Sequence, residues 1–270
     1  MTRRFRYPLS LQTVLPDDYG RNEEFASLLG WLQQSGYWGL ELNMSDPNGF
    51  NFEAVRGFLG QYNLELSMLA TGFTAGRLGL SLSDPDEDSR QRAVAKCQEM
   101  IEWIRHPGTG VIIGRLKGGP AADVAAARRQ FARSLADILP VAEARKVLVL
   151  VEATNRRETA VANTVDEVAR LLGARGFRCV AVLPDTYHMS IEEPDMLATL
   201  RRHAAHLPSL HLSDDNRCFP GLGGLDFARI FLVLREAGFA GRVAIEGNVR
   251  GDLRSDLEAT TKYLTPLLAA

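Results

Sequence analysis

Short apolar runs alternate with longer stretches of helical period along the whole chain. The runs at 9–15, 39–44, 64–70, 111–116, 147–151, 179–183, 209–212 and 243–245 read as strands. The stretches at 22–35, 52–62, 86–104, 121–145, 165–172, 196–203, 227–237 and 252–268 read as helices. In the first of these, Phe25, Leu28, Leu29 and Leu32 fall on one face at spacings of three and four. Ser83 or Asp84 is expected to cap the helix at 86–104, with Pro85 in its first turn. Apolar strands that each hand over to a helix call for a parallel sheet covered by helices. Eight such units predict an α/β fold, the (β/α)8 TIM barrel, which typically takes about 250 residues.

No composition shift or Pro/Gly-rich linker divides the sequence, so residues 1–270 read as a single domain. An open doubly wound sheet fits less well, because no Gly-rich phosphate loop follows the first strand. The segment 71–85, with Gly72, Gly76 and Gly79, reads equally as a lid over the barrel mouth or as a surface excursion.

The second half of the chain carries the chemistry. The run at 147–151 ends in Glu152, and the run at 179–183 leads to Asp185 with His188 three residues on. His211 and Glu246 close the next two runs. In a (β/α)8 barrel the segments after the strands gather at one face, where active sites sit. A strand-end acid taken singly is more often a helix cap or a surface pair. Four donors at four successive strands instead suggest one divalent cation held by Glu152, Asp185, His211 and Glu246. Three carboxylates, one imidazole and no thiolate suit Mn²⁺ first, with Mg²⁺, Co²⁺ or Zn²⁺ as alternatives, and argue against a structural zinc.

Charge narrows the partners. Thirty-one basic against thirty-three acidic residues give a net charge of −2, with no bulk attraction for nucleic acid. Arg3, Arg4 and Arg6 cluster at the N-terminus and read as a solvated tail. The cysteines, Cys97, Cys179 and Cys218, are odd in number and show no CxxC spacing, which suits a reducing compartment. No signal-type segment and no run of about 18 apolar residues is present. The expectation is a cytoplasmic protein acting on a small molecule, with no nucleic acid or membrane partner, and with a homo-oligomer left open.

Longer motifs surround the four donors. They are Glu152-Ala-Thr-Asn-Arg-Arg-Glu158-Thr, Asp185-Thr-Tyr-His188-Met-Ser-Ile-Glu-Glu193, His211 through Arg217 with Pro220-Gly221, and Ile245-Glu246-Gly247. In these the chain resembles the xylose-isomerase-like sugar isomerases and epimerases, and most closely the ketose 3-epimerases (the D-tagatose and D-psicose 3-epimerase group). The likeness covers the second half well and the first half only in barrel pattern. It departs at Ala153-Thr154, where the family usually has proline and an apolar residue. The resemblance implies a small sugar as substrate, Glu152, Asp185, His211 and Glu246 as metal ligands, and His188, Arg217 and Glu158 as substrate contacts.

Moving a proton beside a ketose carbonyl passes through an enediolate, whose charge a bound metal stabilises. Two carboxylates, Glu152 and Glu246, then serve as the acid/base pair on either face of one carbon. The same parts serve an aldose–ketose or hydroxypyruvate-type isomerase or an inosose-type dehydratase. An apurinic endonuclease fits less well, with five histidines and a negative net charge. The bland alternative for Arg217 is an ion pair with Asp214 or Asp215, and for His188 a buried structural role. His106, His203 and His206 receive no function, and Trp31, Trp38 and Trp103 read as core or interface. Pro220-Gly-Leu-Gly-Gly224 has no lysine and reads as shaping the loop behind Arg217 rather than as a phosphate cradle.

Overall fold

The computed structural model describes residues 5–106, 108–173 and 178–269. Arg3 and Arg4 of the basic N-terminal cluster lie outside the described residues, whereas the Arg6 guanidinium lies over the Tyr7 ring. Eight parallel strands form the sheet: β1 (Leu9–Val14), β2 (Gly39–Asn43), β3 (Glu65–Ala70), β4 (Gly110–Ile113), β5 (Leu148–Ala153), β6 (Val180–Pro184), β7 (Ser209–Leu212) and β8 (Arg242–Ile245). Their order is β6-β5-β4-β3-β2-β1-β8-β7. The circle closes between β6 and β7 through a single parallel bridge, Asp185 to His211. This is the (β/α)8 barrel, with each strand within a few residues of its expected position.

Among the described residues, ten α-helices surround or follow the strands: α1 (Glu23–Ser35), α2 (Phe52–Gly60), α3 (Gly72–Leu78), α4 (Glu87–Trp103), α5 (Val124–Arg145), α6 (Val165–Gly173), α7 (Thr186–Glu192), α8 (Met196–His203), α9 (Phe227–Glu236) and α10 (Leu253–Leu268). Phe25, Leu28, Leu29 and Leu32 of α1 are buried, as their spacing predicts. The cap of α4 is Asp86, whose side chain accepts from Ser89 N, not Ser83 or Asp84. Pro85 therefore precedes the helix instead of opening it, and Asp84 accepts from Asp86 N in the turn before.

The main core lies between strands and helices, and a smaller apolar plug of Met68, Ala70, Ile112, Leu150 and Leu183 fills the barrel. Above that plug the inward positions turn polar, with Gln12, Glu41, Glu152 and His211 in place of aliphatic residues. The segment 71–85 folds back as α3, where Thr74 Oγ1 donates to Met44 O and Phe73 N donates to Asn43 Oδ1. That segment forms one wall of a cavity of about 1060 Å³ at the C-terminal mouth of the barrel.

Candidate active site

Each expected donor reaches the site from its own strand. Glu152 is the fifth residue of β5, and Asp185 caps α7 directly after β6. His211 lies inside β7, and Glu246 follows the last residue of β8. One donor atom from each of these four residues lies within 4.8 Å of the others. His211 Nδ1 is 2.5 Å from Glu246 Oε2, 3.6 Å from Glu152 Oε1 and 4.0 Å from Asp185 Oδ2. Gly114, just past β4, leaves the room this needs, since a Cβ there would collide with Glu152 Oε2.

Two buried atoms at the centre, Glu152 Oε1 and His211 Nδ1, make no well-aligned hydrogen bond and have the other donors of the cluster as close polar neighbours. Buried donors and acceptors are seldom left unmatched, and each such atom costs about 1–3 kcal/mol. Lone pairs converging on one point, from three carboxylates and one imidazole, fit a divalent cation.

The charges respond to one another. Burial pushes the Glu152 carboxyl up, but His211, His188 and Lys117 outweigh it and hold the group down at about 2. Asp185 and Glu246 move the other way, raised by burial, with Glu152 adding repulsion against the pull of the histidines. Burial lowers His211, yet Glu41 and Glu246 hold it well above the usual imidazole range.

Glu41 has no counterpart among the expected site residues. It sits in the middle of β2, 2% exposed, and accepts the Nε2 proton of His211 at 2.8 Å. With one proton held on Nε2 by that bond, neutral His211 offers Nδ1 to a metal, the arrangement by which an outer carboxylate orients a ligating histidine. Its signal in the sequence is a charged residue between Leu40 and Leu42 in an otherwise apolar strand. Gln12 links the two acids, with Nε2 3.4 Å from Glu41 Oε2 and 3.3 Å from Glu246 Oε2, while Asn43 Nδ2 donates to its Oε1.

A second group lies beside the four donors. Asn155 Nδ2 donates to Glu158 Oε1, and Asn155 Oδ1 accepts from Arg157 N, which fixes the amide orientation. The same Nδ2 therefore donates to His188 Nδ1 at 2.8 Å, and the proton of neutral His188 sits on Nε2. That nitrogen is 3.8 Å from Glu152 Oε1. Arg217 Nη1 donates to Glu158 Oε1 at 2.5 Å, and its guanidinium lies over the Tyr187 ring. The expected alternative, an Arg217 pair with Asp214 or Asp215, is not formed. Asp214 instead accepts from Gly221 N, Gly223 N and Leu225 N, which makes the glycine-rich stretch the frame of the Arg217 loop. Arg217 itself adopts φ 61°, a costly backbone for a residue with a Cβ, held by its N–H to Asp214 O.

Lys117 is the other residue that the sequence pattern does not reveal. Its ammonium is fully buried and donates to Glu152 O at 2.5 Å, Thr154 Oγ1 at 2.9 Å and Ala162 O at 2.9 Å. Burial lowers it to about 7, against the pull of Glu152. Thr154 belongs to the Ala153-Thr154 departure from the family pattern, and Lys117 is what its hydroxyl holds. His203 pairs with Asp166 at 2.6 Å on the outer surface, away from these residues.

A family model described as the xylose isomerase-like TIM barrel matches residues 29–266. The chain belongs to that family. An L-ribulose 3-epimerase from Mesorhizobium japonicum is 28% identical to it over 231 residues, 80% of this chain and 78% of the relative. A 3-dehydro-D-guloside 4-epimerase from Escherichia coli is 31% identical over 125 residues, 46% of this chain and 48% of the relative. Among solved structures, the D-psicose 3-epimerase of Clostridium cellulolyticum H10 with D-tagatose matches with a TM-score of 0.81 at 22% identity, covering 97% and 99% of the two chains. These three relatives are named as sugar epimerases. Among the described residues, no helix is long and apolar enough to cross a membrane.

Proposed function

We propose that this protein is a divalent-metal-dependent sugar epimerase that inverts C3 of a ketose through an enediolate. The observation that carries the reading is the pair Glu152 and Glu246, entering one cluster from β5 and from the end of β8, with His211 Nδ1 within 3.6 Å of both. Relatives named as ketose 3-epimerases support the substrate class. Glu152, Asp185, His211 and Glu246 would hold the cation, proposed to be manganese. When bound, the ion supplies Lewis-acid stabilisation of negative charge developing on the substrate oxygens.

The chain's own groups do the rest. One of Glu152 and Glu246 takes the C3 proton, and the other delivers a proton to the opposite face of the same carbon. His188, with its proton on Nε2, donates to an oxygen on the carbonyl side. Arg217 holds a neighbouring hydroxyl, and Glu158 fixes the guanidinium. The cytoplasm as compartment and residues 1–270 as one domain belong to the same proposal.

Turnover of a ketose panel in D₂O tests it. An epimeric ketose with deuterium at C3 is the expected product. An aldose labelled at C1 or C2 would instead identify an isomerase, loss of water a dehydratase, and incision of abasic DNA a nuclease.

A further inference from the structure

Seven large hydrophobic side chains stand exposed among the described residues, and three of them line the rim of one cavity. Val14, Phe73 and Val249 are 46%, 43% and 45% exposed, and all three line the mouth of the cavity. They arrive from the end of β1, from α3 and from the segment after β8. Val14 and Phe73 stand across the barrel mouth from Glu158 after β5 and His188 on α7, whereas Val249 stands beside the Arg217 loop, where Asn248 N donates to Arg217 O. Apolar side chains therefore stand on the rim among polar ones, with Gln12, Asn43 and Arg115 lining the same side as Val14 and Phe73. The cavity volume of about 1060 Å³ sits at the top of the ~300–1,000 Å³ typical of pockets that enclose a drug-sized ligand, well beyond one sugar ring. Clustered exposed apolar side chains mark a contact surface.

We propose that the substrate is a keto-sugar carrying a second sugar ring on the end remote from the reacting carbon, and that Phe73, Val14 and Val249 take the C–H face of that ring. The inference rests on the epimerase reading above. A phosphate in the same place would call for a cradle of donors. Of the cations here, Arg217 is committed to Glu158 and the Lys117 ammonium is buried behind Glu152, which leaves Arg115 on this wall. One guanidinium beside three apolar side chains suits a neutral, hydroxyl-bearing ring.

The test compares a free ketohexose with a disaccharide that has a glucosyl group on the terminal hydroxyl of the same ketose. Manganese-loaded wild-type and Phe73→Ala enzymes are used. The expected wild-type kcat/KM is at least tenfold higher for the disaccharide, and Phe73→Ala is expected to cut that ratio about fivefold or more. Val249→Ala, at the other side of the rim, is expected to cut it in the same direction. A free ketose used as well as the disaccharide, or a ketose phosphate preferred to both, overturns the inference while leaving the epimerase reading intact. A change from dimer to monomer in Phe73→Ala, with the ratio unmoved, assigns the rim to a second copy of the chain and overturns it too. Absence of turnover with all three sugars removes the epimerase reading and this inference together.

Discussion

Asp185 and His211 close the barrel between β6 and β7 with one backbone bridge, and their side chains enter the same donor cluster, Oδ2 4.0 Å from Nδ1. Two hydrogen bonds reinforce the seam: Thr186 Oγ1 donates to Ser213 O, and Ser213 N donates to Thr186 Oγ1. A cation held by Asp185 and His211 therefore ties together the two strands that share the fewest backbone bonds. Binding to the native state alone stabilises it by about 2.7 kcal/mol at a hundredfold excess over Kd. For a domain of this size that is a rise in Tm of several degrees. Calorimetry of chelator-treated protein with and without Mn²⁺ is expected to show this rise, and a chelator is expected to abolish turnover. An unmoved Tm together with full activity after metal removal would contradict the site assignment.

Glu41 offers a more selective test. Glu41→Gln keeps the shape but replaces the carboxylate that accepts the His211 Nε2 proton. Loss of such an outer partner typically weakens metal binding about 10–100-fold. Titration with Mn²⁺ is expected to show that loss, with turnover recovering at high metal concentration. A variant that binds metal as tightly as wild type would remove Glu41 from this role.

The barrel is legible because strand and helix differ in apolar period, and because each strand buried on both faces is short and nearly uninterrupted. Glu152, Asp185, His211 and Glu246 were legible for a related reason: each is a donor placed where an apolar run stops. Glu41 and Lys117 were not: Glu41 ends no run, and Lys117, which follows the run at 111–116, is not a metal-donor type. Glu41 replaces one inward side chain in mid-strand, and Lys117 lies in a short turn after β4, where an ordinary solvated lysine would look the same in sequence. Only the position of Ala162 and Thr154 in space shows that its ammonium is enclosed. The α4 cap failed for a local reason, since Ser83, Asp84 and Asp86 are all capping types and Pro85 fits on either side of a helix start.

Lys117 ties the end of β5 to the loop that carries Asn155 and Glu158, through Glu152 O and Ala162 O. Lys117→Met keeps most of the stem and removes the three donors. Leaving buried acceptors unmatched costs about 1–3 kcal/mol for each group, partly relieved by water or relaxation. The expected loss is about 3 kcal/mol of unfolding free energy in urea, with a fall in kcat. Stability within about 0.5 kcal/mol of wild type would show that the loop holds its shape without the lysine.

The two carboxylates can be told apart by exchange. Glu152→Gln and Glu246→Gln each keep an oxygen toward the donor cluster while removing one base. Each is expected to lower epimerisation about 10²–10⁴-fold, the usual worth of a positioned acid or base. The surviving carboxylate still faces one side of the carbon. Each variant is therefore expected to wash deuterium from D₂O into C3 of one epimer only, and the two variants into opposite epimers. Metal content measured beside the kinetics separates lost chemistry from a lost ion. A single carboxylate working on both faces would behave differently: one variant would be inert toward both epimers and the other would exchange both. That pattern, in metal-replete protein, would replace the two-carboxylate mechanism with a one-base mechanism.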